Sequence, residues 1–169
     1  MPKNEVRFEG ALDQGARLRI NQNLRDVCVQ TSTVTVNAST TNVALPGMTT
    51  GVLEPGLYTF TVDLGCGTAA AAGIKVAFRH SVASGMLSNA EFSTQRFTAS
   101  ALTATRNTNM TSGNAIIATT TAVVYARVVG SFRMLVPGTL TLEAAQNASD
   151  ATDTTFIVGS QMQFERAGD

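Results

Sequence analysis

Glu54-Pro55-Gly56-Leu57-Tyr58-Thr59-Phe60-Thr61-Val62 is the stretch whose reading decides the fold. Pro55 presets φ for a tight turn, and Gly56 accepts the positive φ that follows. Beyond the turn, apolar and small polar residues alternate. Tyr58, Phe60, Val62 and Leu64 therefore share one face of a strand, and Leu57, Thr59, Thr61 and Asp63 share the other. The first face is expected to enter a core, and Gly65-Cys66-Gly67 is expected to end the strand.

Outward from this stretch, further short strands are separated by Gly, Pro and Asn. Val27-Cys28-Val29 and Val34-Thr35-Val36 form a first β region, and Ile74, Val76 and Phe78 alternate on a strand after Gly73. Ala115 to Tyr125 is a Thr/Ile/Val run, and Val128, Gly130, Phe132, Met134 and Val136 alternate on the next segment. Pro137-Gly138 turns the chain into Thr139 to Ala144, and a polar loop from Gln146 to Thr154 precedes a last strand, Phe156 to Arg166. Between Ser81 and Asn114 the pattern is weak, with Phe92 and Phe97 as the expected anchors. No amphipathic helix beyond about two turns fits a 3.6-residue spacing. Such spacing of short strands and turn signals predicts an all-β sandwich or barrel.

The 169 residues suit one domain, which should bury roughly 70% of its unfolded surface. Charged residues make up only 14% against a usual value of about 25%, and Thr, Ser, Asn and Gln take their place. Thr is β-branched and favours strands. Composition also changes along the chain. Five of the twelve basic residues (Lys3, Arg7, Arg17, Arg19 and Arg25) precede Val27, whereas Glu54 and Asp63 are the only charges from Val27 to Ile74. We therefore expect an N-terminal arm over residues 1–26 and a domain over 27–169. In the arm, Ala16, Leu18 and Ile20 alternate with Arg17 and Arg19, a strand pattern with one wet face.

Twelve basic and twelve acidic residues leave a formal net charge of zero, without the clustered Lys and Arg that nucleic acid requires. No apolar stretch approaches the roughly 20 residues that span a bilayer, and no apolar run follows Lys3 to make a secretory signal. No nucleic-acid or membrane partner is expected. Asn37, Asn109 and Asn147 head glycosylation-type triplets that a Thr-rich chain produces by chance. Cys28 and Cys66, the only cysteines, have no metal-type spacing and are expected as buried thiols acting as small apolar residues.

Catalysis needs convergent titratable groups, and the pattern is poor in them. His80 is the only histidine and is expected at a rim or interface. Asp150 and Asp153 could contribute to a calcium site, but calcium takes six to eight oxygens, and Asx turns are the simpler use of both. Gly65-Cys66-Gly67-Thr68-Ala69 has glycines but no following Lys, so it reads as a hairpin loop and not a phosphate cradle. No catalytic residue, cofactor site or metal site is expected.

The Pro55-Gly56-Leu57-Tyr58-Thr59-Phe60 phrase resembles the Pro-Gly-x-Tyr-x-Phe strand opening of the complement 1q globular-head domain, a tumour-necrosis-factor-like jelly roll. In that family a short strand follows, where Ile74 to Phe78 stands here, and a strand, polar loop and Gly/Ser-containing final strand close the domain. Pro137 to Leu142, Asn147 to Thr154 and Gly159 to Phe164 correspond. The second half is also similar to C-terminal jelly rolls of tailed-phage virion proteins, through Gly138-Thr139-Leu140-Thr141-Leu142, Ala145-Gln146-Asn147 and Gly159-Ser160. The resemblance covers roughly 31–166. It departs at Gln161 and Gln163, where the complement family is apolar on both faces, and no collagen repeat precedes it.

The resemblance implies a trimeric jelly-roll β-sandwich. The expected function is that of a virion structural protein of a tailed bacteriophage, made in the host cytoplasm, and most simply a homotrimeric capsid decoration or cement protein. Leu57, Thr59, Thr61, Gln161 and Gln163 are the candidate trimer-interface residues. Arg17, Arg19 and Arg25 are the candidates for contact with the major capsid protein or another virion protein. The alternative is a host-receptor or glycan-binding tip of a tail fibre or baseplate, reading its target with loops 65–73 and 81–114. That alternative is weakened by zero Trp and two Tyr, because sugar-stacking surfaces use such rings.

Overall fold

The computed structural model describes residues 26–67, 72–82, 87–97, 102–107, 115–118 and 123–168. These form twelve strands: β1 Asp26–Val29, β2 Val34–Val36, β3 Val43–Thr49, β4 Gly56–Gly67, β5 Ile74–His80, β6 Leu87–Phe97, β7 Leu102–Asn107, β8 Ala115–Ala118, β9 Tyr125–Met134, β10 Leu140–Gln146, β11 Thr154–Phe156 and β12 Gln161–Gly168. Among the described residues there is no helix. The all-β expectation holds. An eight-stranded sheet runs β1-β12-β4-β9-β6-β7, with β11 beside β4 and β2, and a four-stranded sheet runs β3-β10-β5-β8. Every strand pairing is antiparallel.

The two sheets pack face to face as a sandwich, because alternation gives each an apolar side to hide. From β4 come Tyr58, Phe60, Val62 and Leu64; from β9, Val128, Phe132 and Met134; from β12, Met162 and Phe164. The small sheet answers with Ile74, Val76, Phe78, Leu140 and Leu142. At the centre the rings of Phe60 and Phe78 meet edge to face, with centroids 5.2 Å apart and planes at 82°.

Three expectations need correction. Gly65-Cys66-Gly67 is not a hairpin loop: it forms the last three residues of β4, which ends at Gly67 as expected. Cys66 turns inward, and β11 pairs with this end of β4, Thr155 opposite Gly67 and Phe156 opposite Cys66, with Ile157 N donating to Gly65 O at 2.9 Å. The expected last strand breaks at residues 157–160, where Gly159 takes φ +90° and Ser160 Oγ donates to Ile157 O at 2.7 Å. His80 is not a rim residue. It is 6% exposed and accepts the Val82 N–H on Nδ1 at 2.9 Å, while Nε2 lies buried without a hydrogen-bond partner. Beyond these, β3 lies in a stretch where no strand was expected, and it holds Pro46-Gly47. An edge strand tolerates that proline, and Leu45 and Met48 still reach the core.

The arm and its boundary near residue 26 fall almost wholly outside the described residues, although Asp26 itself opens β1. Cys28 and Cys66 are buried and unpaired, as the sequence suggests. Burial pushes their thiols up to about 11 and about 12 respectively, with Asp26 adding to the effect at Cys28.

One side of the sandwich is closed where β3 passes under β1, and Gly47 sits at that crossing with φ +80°. A Cβ there would stand 2.3 Å from Val29 O and 2.9 Å from Thr31 Cγ2. Gly47→Ala combines a clash against backbone with an unfavourable φ. It is expected to cost about 3 kcal/mol, read as a lower denaturant midpoint at unchanged slope.

Candidate functional site

The outer side of the large sheet is built by the residues that alternate with its core. Because Phe60 and Val62 point in, Thr59 and Thr61 must point out; because Met162 and Phe164 point in, so must Gln161 and Gln163. Register then sets neighbours. Val27, Gln163, Thr61 and Val129 stand side by side across β1, β12, β4 and β9. The next such row is Val29, Gln161, Asp63 and Arg127, and on the other side Glu165, Thr59 and Ser131 form a third. Directly opposed side chains of an antiparallel pair lie about 4.5–5.5 Å apart at Cβ, so each row is a continuous contact surface.

All five residues expected at an interface, Leu57, Thr59, Thr61, Gln161 and Gln163, thus come together on one open face. Leu57 is 38% exposed at its lower edge, Thr59 is exposed, and Thr61, Gln161 and Gln163 are half-buried. Arg17, Arg19 and Arg25 lie outside the described residues. The face holds a shallow depression of about 330 Å³ lined by Thr59, Thr61, Arg127, Val129, Gln163 and Glu165.

Sequence reasoning missed several members of this face. Val129 is 40% exposed in its middle, and Val27 and Val29 are each 48% exposed on β1. The inward alternation of Val128, Phe132 and Met134 was a signal for Val129. The exposure of Val27 and Val29 depended on which way β1 turned, and that is settled by pairing with β12.

The charges on the face are tied to each other. Arg127 Nε lies 3.3 Å from Asp63 Oδ1, and the Tyr125 hydroxyl donates to the same oxygen. The Asp63 side chain is only 14% exposed, so it presents little free negative charge. Burial pushes the Tyr125 hydroxyl up to about 12, with the hydrogen bond and the charge of Asp63 acting in the same direction and Arg127 against. Tyr58 is also raised, chiefly by burial, while its hydroxyl donates to Glu54 O at 2.9 Å.

The loop once open to a calcium reading is organised by Gln146 instead. Its fully buried side chain donates to Thr152 O at 2.8 Å and to Asp150 O at 3.1 Å, and accepts from Ser39 N at 3.1 Å. Asp150 makes the expected Asx turn, accepting from Thr152 N at 2.7 Å, which lowers its carboxyl below the ordinary value. Asp153 accepts from Asn37 Nδ2 at 2.9 Å. Among the described residues no three His, Cys, Asp or Glu side chains cluster as metal ligands, and no helix is long and apolar enough to cross a membrane.

Comparison with protein-family models and with curated proteins finds no match to this chain.

Two tyrosines and no tryptophan make the face readable by absorbance. Folded Tyr125 holds its proton above the unfolded value of about 10. Its contribution to stability is therefore complete below pH about 10 and is lost as pH rises towards about 12. In Tyr58→Phe protein, the single phenolate transition is expected at about pH 12 and to move to about 10 on denaturation. A native midpoint near 10 would contradict the buried hydrogen bond.

Proposed function

We propose that the chain is a structural protein of a tailed-bacteriophage particle, a homotrimeric jelly roll that decorates and cements the shell. The observation that carries this reading is the open face of the large sheet, where Leu57, Thr59, Thr61, Gln161 and Gln163 converge with Val129 on three adjoining strands. Strand order supports the jelly-roll part. β4 to β5, β8 to β9 and β9 to β10 each pass from one sheet to the other, as in a double Greek key. The area is also adequate. Four strands about 4.8 Å apart span about 19 Å, and the 12 residues of β4 run about 40 Å, giving on the order of 800 Å². A standard interface buries about that much per partner.

Chemistry fits as well. Thr hydroxyls and Gln amides can hydrogen-bond to a second copy, and each one left unpaired on burial would cost roughly 1–3 kcal/mol. The strongest charges on the face already compensate one another through Asp63 and Arg127. A recognition tip draws less support, because Gly65–Gly67, 87–97 and 102–107 are strand where that reading needs loops.

Sedimentation velocity of the purified chain tests the assembly, with three times 17.7 kDa expected. Thr61→Lys places an ammonium at the centre of the face and is expected to yield folded monomer. Thr141→Lys, on the outer side of the small sheet, should leave the trimer intact. A monomeric wild-type chain would reject the proposal, as would its absence from purified particles analysed by mass spectrometry.

A further inference from the structure

The outer face of the large sheet differs from one strand to the next. On β9 the outward residues are Tyr125, Arg127, Val129, Ser131 and Arg133, because Ala126, Val128, Phe132 and Met134 point in. This column has two cations and no carboxylate. Arg127 is held by Asp63, whereas Arg133 is exposed and makes no ion pair among the described residues. On the other side of β4, Gln161, Gln163 and Glu165 point out from β12, and Val27 and Val29 from β1. Together these have one carboxylate and no cation.

The row Val27, Gln163, Thr61 and Val129 places one exposed valine on β1 and another on β9, with two polar residues between. Three strand spacings of about 4.8 Å hold these valines about 14 Å apart, so they do not cover each other within one copy. A second copy changes that, and its symmetry decides what meets what. An axis lying across the strands lays β9 on β9, gathering the arginines of two copies into one stripe away from the β12 carboxylates. An axis along the strands keeps each row at its own height and turns β9 of one copy towards β12 and β1 of the next. Valine then meets valine, and cation meets carboxylate.

We infer that the copies join through unlike halves of this face: β9 of one copy packs against β12 and β1 of the next, Val129 covers Val27, and Arg133 pairs with Glu165 across the contact. Arg133 lies opposite Leu57 and Glu165 opposite Thr59, so the two differ in height by two residues. That step is about 7 Å along a strand, and an arginine's long side chain spans it. Contacts between unlike surfaces close into a ring when the rotation closes, and three copies a third of a turn apart leave β4 along the axis. Opposite charges fix which column faces which, since the like-charged alternative is repelled. The inference rests on the trimer reading above and adds which surfaces of two copies touch.

Cysteine trapping tests it, with the buried Cys28 and Cys66 left in place. The double variant Val27→Cys, Val129→Cys is oxidised and run on non-reducing gels. A disulfide needs Cα atoms within about 7 Å, so no bridge between these positions forms inside one copy. Covalent species of up to three copies are expected, and none from wild type or from either single variant. Arg133→Glu is expected to raise the concentration at which the trimer dissociates at least tenfold, and Arg133→Glu combined with Glu165→Arg to restore it. Linked dimers from Val129→Cys alone, a double cysteine variant that sediments as a trimer yet stays unlinked, or a charge swap that restores nothing would overturn the pairing while leaving the trimer intact. A monomeric wild-type chain would remove both.

Discussion

Phe60 and Phe78 meet edge to face between the sheets, and the rest of the structure is arranged around that contact. Phe132 lies 5.8 Å and Phe164 6.3 Å from Phe60, centroid to centroid, and both also reach Phe78. Three rings of the large sheet thus close on one ring of the small sheet. Edge-to-face and tilted pairs at these separations add about 0.5–1.5 kcal/mol each beyond the apolar area they bury. Tyr58 stacks on Phe132 at 5.6 Å, and its hydroxyl holds Glu54 O, so the turn that starts β4 is fastened to the same cluster.

Charge contributes little to this arrangement. Arg79 and Glu143 pair at 2.9 Å on the outer side of the small sheet, and the arginine side chain is 63% exposed, where such pairs contribute about 0–1 kcal/mol. Stability therefore resides between the sheets. The outer face of the large sheet is left mainly to Thr, Gln and Val, residues that suit a strand; of its charges, Asp63 and Arg127 are paired with each other and Glu165 stands beside Thr59.

Legibility followed how local the signal was. β4, β5, β9 and β10 could be read because each alternates without interruption over five or more residues, as Tyr58, Phe60, Val62 and Leu64 do. β3 could not, because Pro46-Gly47 looks like a turn until the strand is known to lie at an edge. The break at residues 157–160 was hidden for a related reason. Gly159 and Ser160 are ordinary strand-compatible residues until Gln30 exchanges backbone hydrogen bonds with them, Gln30 N donating to Ser160 O at 2.7 Å and Gly159 N to Gln30 O at 3.0 Å. His80 was misplaced because its burial comes from Gly138, far along the chain, whose missing Cβ would otherwise stand 2.4 Å from His80 Cε1.

The amino-acid order alone determined the β class, the inward rows of Phe, Val and Leu, and hence which threonines and glutamines point outward, because a period of two is imposed by the backbone of every strand. Which of those outward residues stand side by side was decided only when β1, β12, β4 and β9 paired. That pairing put Val27, Gln163, Thr61 and Val129 into one row and joined Tyr125 to Asp63. Partners separated by 60 residues or more leave no local pattern. Their meeting depends on strand order and register, which come from filling the common core.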